Sequence, residues 1–128
     1  MRSNPSKKIL VVDAAESSAD FHASLLRWSG HDTVRVANGE DALERVLTDP
    51  PDLLVVELDL PSMQGLELIS WIRRSEANRR TPIVVVTVRD DPGSRAACAS
   101  HGCAGFLTKP VDPVELTRLV SAILEGSS

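Results

Sequence analysis

The stretch Ile83-Val-Val-Val-Thr-Val88 is apolar at nearly every position and rich in β-branched residues. A continuous run of this kind is typical of a strand in a parallel sheet, because helices cover both faces of such a strand. Three similar runs and one shorter run elsewhere in the chain predict four further strands. The predicted strands lie at residues 9–12, 33–36, 53–56, 83–88 and 105–108.

Helix-length segments separate these strands. The first helix is predicted to end at Gly30 and to bury a stripe formed by Phe21, Leu25 and Trp28, which follow the i, i+4, i+7 spacing. The last helix begins with Asp112 as its N-cap and Pro113 in its first turn. A fourth helix is predicted over 92–101. The second helix, over 41–48, and the third, after Gly65, have predicted apolar faces of Ala42, Leu43, Val46 and Leu47, and of Leu66, Ile69, Trp71 and Ile72.

Strands that alternate with helices predict an α/β fold, a doubly wound parallel sheet with helices on both faces. We expect residues 1–128 to form one domain, with a core over about 7–125 and short flexible ends at 1–6 and 126–128. Ligands of such sheets bind at the carboxyl ends of the strands, where this chain has Asp13, Glu57, Thr87 and Lys109. Carboxylates can hold a hard cation, and a hydroxyl and an ammonium can hold phosphoryl oxygens.

Composition excludes several classes of protein. A net charge of −4, from 14 Lys and Arg against 18 Asp and Glu, argues against a nucleic-acid-binding module. Two cysteines cannot form a disulfide scaffold, so we expect reduced thiols and a cytoplasmic protein. The apolar runs are too short to cross a membrane, and the polar N-terminus is unlike a signal peptide. The loop after the first strand contains no glycine and two acidic residues, which argues against flavin binding.

Three stretches carry a resemblance to a known family. They are Pro51-Asp-Leu-Leu-Val-Val-Glu-Leu-Asp-Leu-Pro-Ser-Met-Gln-Gly65, Pro82-Ile-Val-Val-Val-Thr87 and Gly105-Phe-Leu-Thr-Lys-Pro-Val-Asp-Pro113. From about Lys7 to Leu124, the chain resembles the receiver domain of two-component response regulators. The resemblance implies a five-stranded (βα)5 flavodoxin-like fold with strand order 2-1-3-4-5, and a signalling role rather than an enzymatic one.

The resemblance also assigns roles to individual residues. It implies that Asp13 is the first acid of the family's site, Thr87 the switch hydroxyl, Phe106 the aromatic switch residue and Lys109 the phosphate-contacting lysine. The backbone carbonyl of Asp59 matches a family metal ligand. We therefore take Asp13 and Asp59 as members of an acidic pocket.

Two positions depart from the family pattern. Ala14 stands where the family has its second acid, usually a direct Mg2+ ligand, so we expect Mg2+ binding to be weak or absent. Glu57 stands where the family has its phospho-acceptor Asp. The longer side chain places the carboxylate roughly 1.5 Å further into the pocket, which is enough to spoil in-line attack on a phosphoryl donor.

Three hypotheses for Glu57 follow. In the first, Glu57 forms a partly buried ion pair with Lys109 that preserves the fold. In the second, Glu57 mimics the phosphorylated state and holds Thr87 and Phe106 in the active arrangement, although glutamate carries less charge than an acyl phosphate. In the third, the domain still accepts a phosphoryl group from a histidine kinase, at Glu57 or at Asp59.

Other residues leave alternatives open. Asp13 either holds a metal through water or is a solvated acid, and Thr87 either senses Glu57 or only ends its strand. Cys98, His101 and Cys103 could form a metal or redox cluster, although buried thiols are the more ordinary interpretation. His22 and His31 are predicted to lie at the surface. Trp28 and Trp71 are predicted to cover the edges of the core, and Val88 to narrow access to the pocket.

The resemblance predicts protein partners: a histidine kinase, an output domain or another signalling protein. The expected contact face comprises the fourth helix, the fifth strand and the fifth helix, including residues 95–101, Phe106 and residues 114–125. A homodimer through this face is possible, and contact with nucleic acid or a membrane is not expected. The short polar tail fits either a natural end or the boundary of a longer chain.

Overall fold

The computed structural model describes residues 6–126, and along them five strands alternate with five α-helices. A short 3-10 helix, Glu76–Asn78, lies before the fourth strand. The predicted strands and helices are confirmed, with boundaries that differ by no more than two residues. The elements are β1 (Lys8–Val12), α1 (Glu16–Trp28), β2 (Asp32–Val36), α2 (Gly39–Thr48), β3 (Leu53–Val56), α3 (Gly65–Arg74), β4 (Ile83–Thr87), α4 (Pro92–Ser100), β5 (Gly105–Thr108) and α5 (Pro113–Gly126).

The strands form one parallel sheet in the order β2-β1-β3-β4-β5, which confirms the flavodoxin-like prediction. Val12 at the end of β1 lies beside Val36 of β2 and Val56 of β3. This register aligns the carboxyl ends of the strands at one edge of the sheet. The predicted flexible ends fall mostly on residues 1–5 and 127–128, outside the described residues.

Each central strand contributes to two hydrophobic cores. Leu10 and Leu54 pack with α2, α3 and α4 on one face, whereas Ile9 and Leu53 pack with α1 and α5 on the other. Successive side chains of a strand point to opposite faces. The runs are therefore apolar at every position because both faces of β1, β3 and β4 are buried.

The buried face of α1 differs from the predicted stripe. Trp28 is 90% exposed and Phe21 is 45% exposed. The helix instead packs through Ala19, His22, Ala23 and Leu26. The prediction assigned the largest apolar side chains to the core. The buried residues instead form a neighbouring stripe at i, i+3, i+4 and i+7, and of the predicted stripe only Leu25 is half-buried against the core.

Two other large apolar side chains are more exposed than predicted. Leu47 at the end of α2 is 57% exposed, and Trp71 of α3 is 44% exposed. The Arg74 guanidinium lies 4.7 Å from the centre of the Trp71 ring, so the indole makes a cation–π contact rather than covering the core.

The N-cap prediction for α5 is confirmed, because Asp112 Oδ1 accepts hydrogen bonds from the backbone of Val114 and Glu115.

Gly65 allows α3 to start against the end of β3. Its N–H donates to the carbonyl of Leu58 at 2.9 Å. A Cβ atom at this position would lie 2.6 Å from the Glu57 carbonyl oxygen and 2.7 Å from the Leu58 Cα atom. Glycine is required here by close contact between two backbones.

Replacement of Gly65 by alanine should destabilise the fold by about 1–3 kcal/mol, because the added methyl group meets backbone that cannot rotate away. Urea unfolding of Gly65→Ala beside Gly93→Ala measures this. A Cβ atom at Gly93 would lie 3.4 Å from the Asp91 carboxylate, which is an ordinary contact distance. Equal stability of the two variants would contradict the steric argument.

Candidate functional site

Backbone pairing brings the four predicted strand-end residues to one edge of the sheet. The Glu57 N–H donates to the Val12 carbonyl at 3.0 Å, which sets Glu57 beside the end of β1. The Lys109 N–H donates to the Thr87 carbonyl at 2.8 Å, which sets Lys109 beside the end of β4. Asp13, Glu57, Thr87 and Lys109 therefore come together as the sequence predicts, although they are up to 96 positions apart.

Asp13, Glu57 and Lys109 form what we call the carboxylate–lysine triad. The Lys109 Nζ atom lies 2.8 Å from Asp13 Oδ2 and 2.9 Å from Glu57 Oε1. The two acidic side chains are 5% and 6% exposed, and the lysine side chain is 15% exposed. One ammonium group is thus shared by two buried carboxylates.

The other carboxylate oxygen of each acid also has a hydrogen-bond donor. Asp13 Oδ1 accepts from the Ala15 N–H at 2.9 Å, and Glu57 Oε2 accepts from the Asp59 N–H at 3.0 Å. The Ser18 hydroxyl adds a second bond to Asp13 Oδ2, at 2.7 Å. Sequence reasoning missed Ser18; its position one turn into a helix that starts beside Asp13 was the available signal.

Opposing effects act on Lys109. Burial disfavours the charged ammonium, but the hydrogen bonds and negative charges of Asp13 and Glu57 outweigh this cost and raise the pKa of Lys109 above its usual range. The lysine is therefore fully protonated at neutral pH.

His22 is buried in the α1 face beneath the triad, which corrects the prediction that it lies at the surface. Its Nδ1 atom lies 3.5 Å from the Ser18 hydroxyl, and its ring is 5.5 Å from the Phe21 ring. Burial lowers the pKa of His22, Lys109 lowers it further, and Asp13 and Glu57 oppose these effects. The prediction assumed that an isolated histidine is solvated, whereas the turn of α1 points this one inwards.

His31 is half-buried rather than at the surface. Its Nδ1 atom is buried and has no hydrogen-bond partner among residues 6–126. Burial lowers the pKa of His31, and the charge of Lys7 lowers it further. His31 lies in the connection between α1 and β2.

Thr87 and Phe106 lie on neighbouring strands. Thr87 is fully buried, and its Oγ1 atom accepts a hydrogen bond from the Arg89 N–H at 3.3 Å. No hydrogen bond joins Thr87 to Glu57 in the described part of the chain. Phe106 is half-buried on β5, with the Arg95 guanidinium 4.5 Å from its ring centre.

Asp59 lies just outside the triad. Its half-exposed carboxylate pairs with the guanidinium of Arg89, whose Nη2 atom is also 3.4 Å from Gln64 Oε1. Arg89 thus links the loop after β4 to the loop after β3. No pattern in the sequence indicated this arginine.

Ala14 and Val88 flank the triad. Ala14 is exposed and offers no ligand atom. Val88 is 64% exposed and lies in the wall of an open groove of about 440 Å³ beside Lys109. The rest of the groove is lined by Ser18, Phe21, His22, Pro110 and Val111.

Replacement of Lys109 by methionine should lower the free energy of unfolding by about 3–5 kcal/mol, because it leaves two buried carboxylates without a counter-charge. Urea unfolding measures this loss. Lys8→Met is the matched control, since Lys8 pairs with Asp49 where both side chains are about half exposed. The control should change stability little. A Lys109→Met variant as stable as the control would contradict the coupling within the triad.

His22 should make stability depend on pH. Its pKa is lowered in the folded state relative to about 6.5 in the unfolded chain. Between the two values only the unfolded chain binds the proton, so stability falls as the pH drops below about 6.5. Unfolding of the native chain and of His22→Gln at about pH 7.5 and pH 5.5 should show a smaller loss in the variant. His31→Gln is the control for the other histidine with a lowered pKa. A His22 pKa at or above 6.5 in an NMR titration would contradict the prediction.

Known proteins resemble this chain in sequence. The family model for the response regulator receiver domain matches residues 9–121. The alkaline phosphatase synthesis transcriptional regulatory protein PhoP of Bacillus subtilis is 35% identical over 121 residues, which are 94% of this chain and 50% of that protein. The polar-differentiation response regulator DivK of Brucella anthropi is 26% identical over 118 residues, 92% of this chain and 96% of that protein. The chain thus spans about half the length of the first relative and nearly all of the second.

Solved structures show the same fold. The signal receiver domain of a signal transduction histidine kinase from Syntrophus aciditrophicus has a TM-score of 0.86 at 28% identity, covering 94% of this chain and 92% of that one. A putative response regulator from Chloroflexus aurantiacus has a TM-score of 0.89 at 30% identity, covering 94% and 99%. Among the described residues, no helix is both long and apolar enough to span a bilayer. The chain belongs to the response regulator receiver domain family of two-component signalling.

Proposed function

We propose that this receiver domain signals by contact with protein partners, without phosphorylation, and that Glu57 occupies the phospho-acceptor position. The observation that carries the proposal is the carboxylate–lysine triad, in which every carboxylate oxygen already has a donor. In this reading the triad preserves the fold at a site that no longer transfers phosphate. The domain has no catalytic role of its own.

The state of Glu57 argues against phosphoryl transfer. An acceptor carboxylate needs an oxygen free to attack in line with the leaving group. Glu57 Oε1 is held by Lys109, and Oε2 by the Asp59 N–H. The side chain is also one methylene longer than the family's aspartate. Attack would require breaking a buried ion pair.

The residues of the site do not fit Mg2+. This ion prefers about six oxygen ligands in near-octahedral geometry. Ala14 supplies none, and both oxygens of Asp13 accept hydrogen bonds. The Lys109 ammonium already offsets one of the two carboxylate charges and pairs with an oxygen of each acid. The described residues contain no group of three or more candidate ligands among His, Cys, Asp and Glu. We infer that the domain works without a metal cofactor.

Glu57 as a mimic of the phosphorylated state receives less support. A mimic should draw the Thr87 hydroxyl towards its own carboxylate, but no hydrogen bond joins Thr87 to Glu57 among the described residues, and both Glu57 oxygens pair with other donors. The fold-preserving ion pair is therefore the interpretation that we favour.

Phosphorylation of Asp59 is the alternative function. Its carboxylate is 47% exposed, so a donor could reach it. The Arg89 guanidinium pairs with this carboxylate, which makes its oxygens weaker nucleophiles. The same guanidinium would stabilise a phosphoryl group attached to Asp59.

The proposed contact face comprises α4, β5 and α5. Arg95 lies over the half-buried Phe106 ring there, and Val114 of α5 is 54% exposed. A cation over an aromatic ring and an exposed apolar side chain on the proposed face suit a protein partner. We propose a histidine kinase, an output domain or another signalling protein as that partner. The same proposal includes a homodimer through this face. It also includes a cytoplasmic location and a single domain over residues 1–128.

Intact-mass spectrometry after incubation with acetyl phosphate and Mg2+ tests the proposal. The native chain should remain unmodified, because Glu57 is held by two donors and residue 14 has no ligand. The Glu57→Asp variant should form little phosphoryl adduct. The double variant Ala14→Asp with Glu57→Asp, which restores both acids of the family pattern, should form a labile adduct.

A labile adduct on the native chain would contradict phosphorylation-independent signalling. Asp59→Asn is then the matched variant that separates the two acceptors. Loss of the adduct in this variant assigns it to Asp59, and its persistence points to Glu57. A receiver domain known to accept phosphate from acetyl phosphate controls for the reagent.

A further inference from the structure

Cys98 and Cys103 are two thiols that the strand-end site does not use. Cys98 of α4 is buried, and Cys103 in the turn before β5 is half-buried. A metal cluster with His101 is not formed, because His101 Nδ1 lies 2.8 Å from the Ala97 carbonyl and no group of three candidate ligands occurs in the described chain. The buried-thiol interpretation of the sequence is confirmed for Cys98.

A Schellman motif at the end of α4 brings the two cysteines together. The Cys103 N–H donates to the Cys98 carbonyl at 3.1 Å, and the Gly102 N–H donates to the Ala99 carbonyl at 3.0 Å. Gly102 has a φ of 72°, which glycine adopts without strain. In this motif the side chains at the positions of Cys98 and Cys103 characteristically touch.

The two cysteine side chains share one hydrophobic core. Cys98 is buried in it, and the partly buried Cys103 packs against it. The backbone hydrogen bond from Cys103 to Cys98 holds the two residues together across the helix end. A bond between the sulfurs would close a loop that this backbone bond already closes.

Arg73 fixes the turn in which the pair lies. Its Nε atom donates to the His101 carbonyl at 2.9 Å, and its Nη2 atom to the Gly102 carbonyl at 3.3 Å. The turn is thus tied to α3 as well as to α4. A pre-organised turn lowers the entropy lost when the two sulfurs are joined.

We propose that Cys98 and Cys103 form a reversible intramolecular disulfide when the chain meets a small-molecule disulfide oxidant. The Cys103 thiolate attacks one sulfur of oxidised glutathione, and reduced glutathione leaves. The Cys98 thiolate then attacks the Cys103 sulfur and expels a second glutathione. The protein loses two hydrogens, and the two expelled glutathione thiolates take up the two protons, so the oxidant becomes two thiols with no net release of protons. The product staples the end of α4 to the start of β5.

Burial sets the order and the rate of these steps. Cys103 reacts first because Cys98 is only 1% exposed. Burial raises the pKa of the Cys103 thiol to about 12, the neighbouring Cys98 adds to this, and Arg73 opposes it. Burial also raises the pKa of Cys98. Few thiolates exist at neutral pH, so the pair stays reduced until oxidant is abundant or the pH rises.

Incubation of the full chain with oxidised glutathione, followed by intact-mass spectrometry, tests the proposal. The native chain should lose about 2 Da, with a rate that rises about tenfold per pH unit between about pH 7 and pH 9, and dithiothreitol should restore the original mass. Cys98→Ser should instead stop at a mixed disulfide with one glutathione. Cys103→Ser should remain unmodified, because its one thiol is buried.

Three results would overturn the proposal. A native chain that forms only mixed disulfides or covalent dimers would show that the two sulfurs cannot meet. A Cys103→Ser variant that reacts as fast as Cys98→Ser would refute entry through Cys103. A rate independent of pH would refute thiolate attack. Circular dichroism of each variant before oxidation ensures that the comparison is between folded chains.

Discussion

The Lys109 ammonium between two buried carboxylates is the interaction on which the rest of the strand-end site depends. Burial of Asp13 or Glu57 alone would cost several kcal/mol, and the two together would also repel each other. One lysine offsets part of both costs because it reaches Asp13 and Glu57 at 2.8 and 2.9 Å. The three side chains come from the ends of β1 and β3 and from the residue after β5. The ion pairs therefore tie together strands that are not adjacent in the sheet.

Neighbouring contacts complete this edge of the sheet. Gly65 allows the start of α3 to lie against the backbone of Glu57. Arg89 joins the loop after β4 to Asp59 in the loop after β3. The Ser18 hydroxyl donates to Asp13 and lies 3.5 Å from Nδ1 of the buried His22. Loops that carry function are usually the mobile parts of a fold. Here several charged and hydrogen-bonded contacts hold them in one arrangement, which suits a domain that presents a constant surface.

Much of the fold was predictable from the sequence, and the reason is periodicity. The runs at β1, β3 and β4 are buried on both faces, so their composition alone identified them as inner parallel strands. Asp112 and Pro113 marked the start of α5 because capping is a local interaction. The packing of α1 was not predictable in the same way. Trp28 is almost fully exposed and the small Ala23 is buried, because the fit against the sheet, rather than side-chain size, orients the helix.

The fold class follows from the pattern of apolar runs, the strand order from the family resemblance, and the four polar strand-end residues from their places after those runs. How the atoms of these residues pair depends on the folded chain. Lys109 and Asp13 are 96 positions apart, and no local pattern records that one ammonium serves two carboxylates. The same holds for the burial of His22, the pairing of Arg89 with Asp59 and the contact between two cysteines at a helix end. Periodicity and capping are properties of neighbouring residues, whereas burial and charge pairing depend on what the folded chain brings from elsewhere.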